Sequence, residues 1–244
     1  MLHPTKAGIT RALGTLSRPV GAFNAERYFR GDHRLKFYNT GTKPMRAFVR
    51  SMYQANKDRW SIDEAMALAD QLIAAPYLET KSVGIELVAR YRRSFTPALL
   101  TRWKRWLARN HSANWATTDA ICGLLIGPLL VAHPRLASGM RAWARDRNLW
   151  VRRASIVGLI KPIATRTIPV DLAYDVAATL HPDEHDLIHK AVGWTLREAG
   201  KVDPARLERY LRANGPSIPR TTVRYAIERF PAPKRRRLLE ATRG

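Results

Sequence analysis

Apolar residues recur at three- and four-residue spacing through most of the chain. Met45 to Gln54, Ile62 to Ile73, Val83 to Tyr91 and Leu99 to Leu107 each gather their apolar positions on one helical face. No stretch carries the alternating β-branched pattern, bounded by turn residues, that marks a strand. Start signals punctuate the helices. Ser61 with Glu64 forms a capping box, and Thr96-Pro97, His133-Pro134, Asp203-Pro204 and Ile218-Pro219 set a proline near a first turn. The pattern predicts an all-α chain of roughly a dozen or more short helices.

The helices are quasi-repetitive. Lys81-Ser-Val-Gly-Ile-Glu-Leu-Val-Ala-Arg90, Trp150-Val-Arg-Arg-Ala-Ser-Ile-Val-Gly-Leu159, Ile188-His-Lys-Ala-Val-Gly-Trp-Thr-Leu-Arg197 and Thr222-Val-Arg-Tyr-Ala-Ile-Glu-Arg229 read as four copies of one motif. The later copies lie some 30 to 40 residues apart, roughly the period of stacked helix pairs in HEAT-type arrays. The expectation is a HEAT-like helical-repeat solenoid of antiparallel helix pairs with a concave basic face. It forms a single domain over residues 1–244, with residues 1–25 as a basic N-terminal arm or first helix. No Gly, Pro or Ser-rich linker divides it.

Charge narrows the class of partner. Lys and Arg number 42 against 20 Asp and Glu, a net charge of +22 with pI near 11.1, and the excess is spread along the chain. Cations that neutralise phosphates release condensed counterions, so this balance points to nucleic acid. The one cysteine, Cys122, sits in apolar sequence, which excludes an internal disulfide framework and fits a reducing compartment. No uninterrupted apolar run approaches the roughly 20 residues of a membrane span, so a cytoplasmic protein without a membrane partner is expected.

The candidate chemistry starts at Asp119. It is the only carboxylate between Glu86 and Asp146, a window holding ten arginines and lysines. It falls one helical turn after Trp115, so the two side chains share a face. An aromatic wall beside a carboxylate within a basic surface suits a site that receives a polyanion and stabilises positive charge.

In Asn148-Leu-Trp-Val-Arg-Arg-Ala-Ser155, Trp150 and Arg153 share a face, with Arg152 beside them. Arg153 either forks onto a phosphate or bridges neighbouring repeats. Lys190, Trp194, Arg197 and Lys201 form one stripe, opposite a core face of Ile188, Ala191, Val192, Thr195 and Ala199. A tryptophan among cations suits packing against a nucleotide.

Nearer the N-terminus, Arg27, Arg30, His33, Arg34 and Lys36, interleaved with Tyr28, Phe29, Phe37 and Tyr38, extend the basic surface. His181, His185 and His189 have metal-ligand spacing, but Pro182 and the neighbouring acids read better as a helix start. There is neither a glycine-rich phosphate loop nor a nucleophile elbow, and no cofactor is expected.

Three strings, Trp115-Ala-Thr-Thr-Asp119, Asn148-Leu-Trp-Val-Arg-Arg153 and Lys190-Ala-Val-Gly-Trp-Thr-Leu-Arg-Glu198, resemble the AlkD-type DNA alkylation-repair glycosylases, from about Tyr28 to Phe230. That resemblance implies HEAT-like repeats around duplex DNA and excision of cationic N3-alkyladenine and N7-alkylguanine. Asp119 would be the catalytic carboxylate, Trp115 and Trp194 would flank the deoxyribose, and Arg153 would grip the backbone nearby. Trp150, Arg152, Lys190, Arg197 and Tyr28 would add DNA contacts, and the protein would act as a monomer. The family often reads Trp-Trp-Asp-x-x-Asp where this chain has Asn114-Trp-Ala-Thr-Thr-Asp119. The alternative on the same scaffold is a non-catalytic protein that binds damaged or branched DNA.

Overall fold

Each helix predicted from periodicity forms in the computed structural model, which describes residues 4–19, 29 and 35–243. Among the described residues there is no strand, only an isolated bridge between Lys36 and Tyr77. The chain is all-α. Its contacts group it into two compact units, residues up to Leu125 and residues from Ile126 onward.

The first unit contains α1 (Lys6–Thr15), α2 (Thr42–Asn56), α3 (Ile62–Ile73), α4 (Leu78–Arg90), α5 (Ala98–Ala108) and α6 (Trp115–Ile121). The N-terminal region thus includes a first helix, pinned by the buried Ile9 and Leu13. The capping box at α3 is complete. The Ser61 hydroxyl accepts from the Asp63 amide, and Glu64 accepts from the Ser61 amide at 2.8 Å.

A four-residue connection, residues 74–77, turns the chain back from α3 into α4. The two helices pack closely at Gly84, where an added Cβ would lie 3.2 Å from the Leu72 Cβ. Helix α4 also packs against α1, α2 and α6. Val49, Leu72, Val83 and Leu87 lie at the centre of this unit's core, fully removed from water.

The second unit contains α7 (Gly127–Ala132), a 3₁₀ turn (Pro134–Gly139), α8 (Met140–Trp143), α9 (Leu149–Val157) and α10 (Ile160–Ala164). It continues with α11 (Asp171–Leu180), α12 (Asp186–Val202), α13 (Pro204–Asn214), α14 (Arg220–Ala226) and α15 (Ala232–Ala241). Helix α12 is the hub, packing against α9, α10, α11, α13 and α14. Its predicted core face, Ile188, Ala191, Val192, Thr195 and Ala199, is buried throughout.

Three of the four repeat copies fall on α9, α12 and α14. Side-chain hydroxyls tie α12 to both neighbours. Thr195 donates to the Ile156 carbonyl at 3.2 Å, and Thr222 donates to the His189 carbonyl at 3.0 Å.

Three local expectations take their detail from the fold, two of them as corrections. Helix α12 starts at Asp186 with His185 as its cap, not at Pro182. The His185 ring nitrogen accepts from the Leu187 amide, and an imidazole fills this role as a carboxylate would. Pro97 and Pro219 occupy the cap position, one residue before their helices, whereas Pro204 takes the first helical position.

The third concerns the apolar run around Cys122. A π-helical turn, Cys122–Ile126, joins the helical stretches before and after it. Residues Trp115–Ala132 are consequently long and apolar enough to cross a membrane by length and composition. Asp119 is the one charged residue in this run. Half of the run is buried within the fold, as in a core helix.

Helices α12 and α14 approach closely at Gly193, where an added Cβ would stand 2.5 Å from the Tyr225 Cβ and 2.7 Å from the Thr222 carbonyl oxygen. Gly193→Ala is expected to cost about 1–3 kcal/mol by overpacking, read as a lowered urea midpoint. Gly139→Ala, where an added Cβ meets nothing within 4 Å, should leave the midpoint nearly unchanged. Equal midpoints for the two variants would contradict the described packing.

Candidate functional site

The segment carrying Trp115 and Asp119 is held in place before its helix begins. The loop after α5 includes two non-glycine residues in the left-handed region, Asn110 at φ 57° and Ala113 at φ 61°. Such a conformation costs about 1–2 kcal/mol per residue and persists where its surroundings enforce it. Here the enforcement comes from Lys81, only 3% exposed, whose ammonium donates to the Ile73 and His111 carbonyls, each at 2.7 Å.

Asn114 then caps α6. Its side-chain oxygen accepts from the Thr117 amide at 2.8 Å, and its amide nitrogen donates to the Thr117 hydroxyl and the Ser112 carbonyl. Asn114 is itself buried and serves as the helix cap.

Trp115 opens α6 half-buried, its ring tilted against Phe29 with centroids 5.9 Å apart. Phe29 in turn stacks on Phe37, and Tyr38 stacks on Tyr77 at 4.0 Å. These N-terminal aromatics, read from sequence as part of a basic surface, are largely spent on packing. Tyr28, Arg27, Arg30, His33 and Arg34 lie outside the described residues.

One turn later, Asp119 lines a cleft of about 370 Å³ together with Met45, Arg46, Ile85, Glu86 and Leu124. Arg46 donates to Glu86 at 2.7 Å across this cleft. Sequence reasoning missed both residues. They come from α2 and α4, and nothing in local spacing connects them to Asp119.

In the second unit, the N-cap Asn148 accepts from the Trp150 and Val151 amides. Trp150 is half-buried. Arg152 is anchored to Asp183 at 2.6 Å and to the Asp146 and Arg147 carbonyls. Arg153 is 4% exposed and donates to the Leu187 carbonyl. That bond runs from α9 to α12, as the bridging role open to it in the sequence would require.

On α12, Lys190, Trp194, Arg197 and Lys201 do form the expected stripe, with Trp194 half-buried. The cations are paired, however. Lys190 meets Asp186 at 2.6 Å, Lys201 meets Glu198 at 2.5 Å, and Arg197 meets Glu198 and Glu228. Glu228 lies on the segment after α14 and was invisible to a one-helix reading.

The three histidines serve structure. His185 caps α12, His189 contacts the Asp183 carbonyl, and the buried His181 shares a 2.7 Å hydrogen bond with the Tyr210 hydroxyl. Among the described residues, no group of three or more His, Cys, Asp or Glu is placed to hold a metal ion.

A family model described as DNA alkylation repair enzyme matches residues 9–230. Among solved structures, a predicted DNA alkylation repair enzyme from Enterococcus faecalis has a TM-score of 0.72 to this chain. The match covers 85% of this chain and 93% of that one at 18% identity, a likeness of fold. No curated protein matches significantly in sequence.

Two consequences can be measured. Lys81→Met strands two buried carbonyls and is expected to lower stability by about 2–4 kcal/mol, read by urea unfolding. For His181, burial lowers the pKa from 6.5 to about 4, and His189 adds to the shift. The unfolded chain therefore takes up this proton near pH 6.5, while the folded chain waits until about 4. The neutral ring's contribution is complete above pH 6.5 and falls away toward pH 4 by about 3 kcal/mol. Unfolding free energies of wild type and His181→Gln, compared across that window, should converge as pH falls. A constant difference would remove His181 from the account.

Proposed function

Because this chain belongs to the DNA alkylation repair enzyme family, we propose that it is a monofunctional DNA glycosylase that hydrolyses the N-glycosidic bond of cationic alkylated purines, N3-alkyladenine and N7-alkylguanine. The observation that carries this reading is Asp119, a half-exposed carboxylate on an apolar helix, opening into the cleft beside α2 and α4. At about 370 Å³ that cleft falls in the size range of small-molecule sites.

The chemistry asks little of the protein. An alkylated purine already carries positive charge and leaves as a neutral base, so no general acid is required. Bond breaking develops oxocarbenium character on the sugar. A carboxylate beneath it stabilises that charge and orients the attacking water. Trp115, one turn before Asp119, supplies an apolar wall against the deoxyribose.

Trp150, Trp194, Arg152, Arg153, Lys190 and Arg197 belong to the DNA-binding part of this reading. Arg153 contributes by fixing α9 against α12, given its bond to Leu187. The pairs on α12 are compatible with phosphate contact. Exposed ion pairs are worth about 0–1 kcal/mol, so a phosphate can replace the carboxylate of Asp186 beside Lys190. Duplex DNA is the partner and the monomer the working form. The rival reading, a non-catalytic binder of damaged or branched DNA, draws on the departures at Asn114 and Ala116. At the first of these positions Asn114 serves as the cap of α6.

Asp119→Asn is expected to reduce release of free N7-methylguanine and N3-methyladenine from duplex DNA by about 10²-fold or more. DNA affinity should hold or rise, because a negative charge leaves a cationic surface. Single-turnover base release and fluorescence-anisotropy binding, measured side by side, provide the test. Undiminished release by the variant would reject the assignment of Asp119. Wild-type binding without release of either base would favour the non-catalytic reading.

A further inference from the structure

A second cleft in the first unit lies apart from the one beside Asp119. It is lined by Asp70 on α3 and by Arg102, Arg105, Trp106, Arg109 and His111 on and after α5, and its volume is about 140 Å³. The two clefts share no lining residue. Three arginines at positions i, i+3 and i+7 stand on one helical face here.

The one carboxylate in the cleft is fully engaged. Asp70 Oδ2 accepts from Arg102 Nε at 3.0 Å and Nη2 at 2.5 Å, and Oδ1 accepts from Trp106 Nε1 at 2.6 Å. Asp70 thus balances Arg102 and nothing more. Arg105 and Arg109 are exposed and, among the described residues, neither is ion-paired. They sit four residues apart, where like charges repel. His111 Nδ1, at the same cleft, is buried without a hydrogen-bond partner. Two unbalanced guanidinium groups therefore line a small, strongly basic space, with the His111 ring at its edge.

We propose that this cleft is an accessory phosphate-binding site, in which Arg105 and Arg109 hold one tetrahedral phosphate group against the Arg102–Asp70–Trp106 platform. Guanidinium forks match phosphate oxygens in geometry as well as charge. The group is either a free phosphate or a phosphodiester of DNA, and both present the same oxygens. The site does not depend on the glycosylase reading. It shares no residue with the Asp119 cleft and requires no chemistry there.

The His111 ring gives the cleft its own reporter. Its pKa is held below the ordinary value by burial first, and then by Lys81 and Arg109, with Asp70 opposing. A bound phosphate adds negative charge and moves the pKa upward.

The test follows His111 ring resonances by NMR in the full-length protein, titrated separately with inorganic phosphate and with a short undamaged duplex. Wild type is compared with the double variant Arg105→Gln/Arg109→Gln. The expected result is a saturable shift and a raised His111 pKa in wild type. Apparent affinity should be weakened about tenfold or more in the double variant. A response to both probes, or to phosphate alone, assigns the site to the phosphate group itself. A response to duplex alone assigns it to the DNA backbone. No shift with either probe, or equal shifts in wild type and double variant, overturns the proposal. Both substitutions are on exposed side chains, and an unchanged thermal transition of the double variant confirms that the comparison is made on folded protein.

Discussion

A buried ammonium group holds the candidate catalytic segment in place. Removing Lys81 from water costs several kcal/mol, and the cost is offset by the carbonyls it binds. Those carbonyls belong to Ile73, where α3 ends, and to His111, in the loop that leads into α6. One side chain therefore satisfies a helix terminus and fixes the entry of the helix that presents Trp115 and Asp119. The left-handed residues Asn110 and Ala113 on that loop are affordable because both the loop and the cap at Asn114 are tied down. In the second unit Arg153 plays a comparable part, spending a buried guanidinium on the carbonyl of Leu187. In both cases a cation joins helices through backbone oxygen.

This use of charge changes how a net +22 should be read. Some of the excess is internal scaffolding, as at Lys81 and Arg153. Some is matched by acids on the same or adjoining elements, as along α12. The unmatched remainder includes Arg105 and Arg109. A surface made of weak exposed pairs can trade carboxylate for phosphate at little cost, whereas the buried cations cannot leave their carbonyls without loss of stability.

What the sequence disclosed follows from the range of each interaction. Capping and face periodicity are local, and so the Ser61–Glu64 box, the span Ile62–Ile73 and the buried face of α12 could all be read directly. The alignment of Trp115 with Asp119 on one helix was equally accessible. Interactions that close over 30 or 40 residues were not. The Arg46–Glu86 pair at the Asp119 cleft, the carboxylate of Glu228 beside Arg197 and the burial of Arg153 depend on which helices meet. The His185 cap was missed for a different reason: imidazole is an uncommon choice where Asp, Ser, Thr or Asn is expected. The π-helical turn at Cys122–Ile126 comes just before Pro128, which has no amide to offer the Leu124 carbonyl, a local marker that face periodicity alone passes over.

Helix α12 also bears on how this architecture can change. In a strictly linear repeat array each unit touches only its neighbours, so copies can be gained or lost one at a time. Here one helix packs against five others, and its glycine admits α14 to within backbone reach. All five stand within three helices of it in chain order, so even this hub touches only neighbouring units, and the seat at Gly193 sets how closely the following copy can stack.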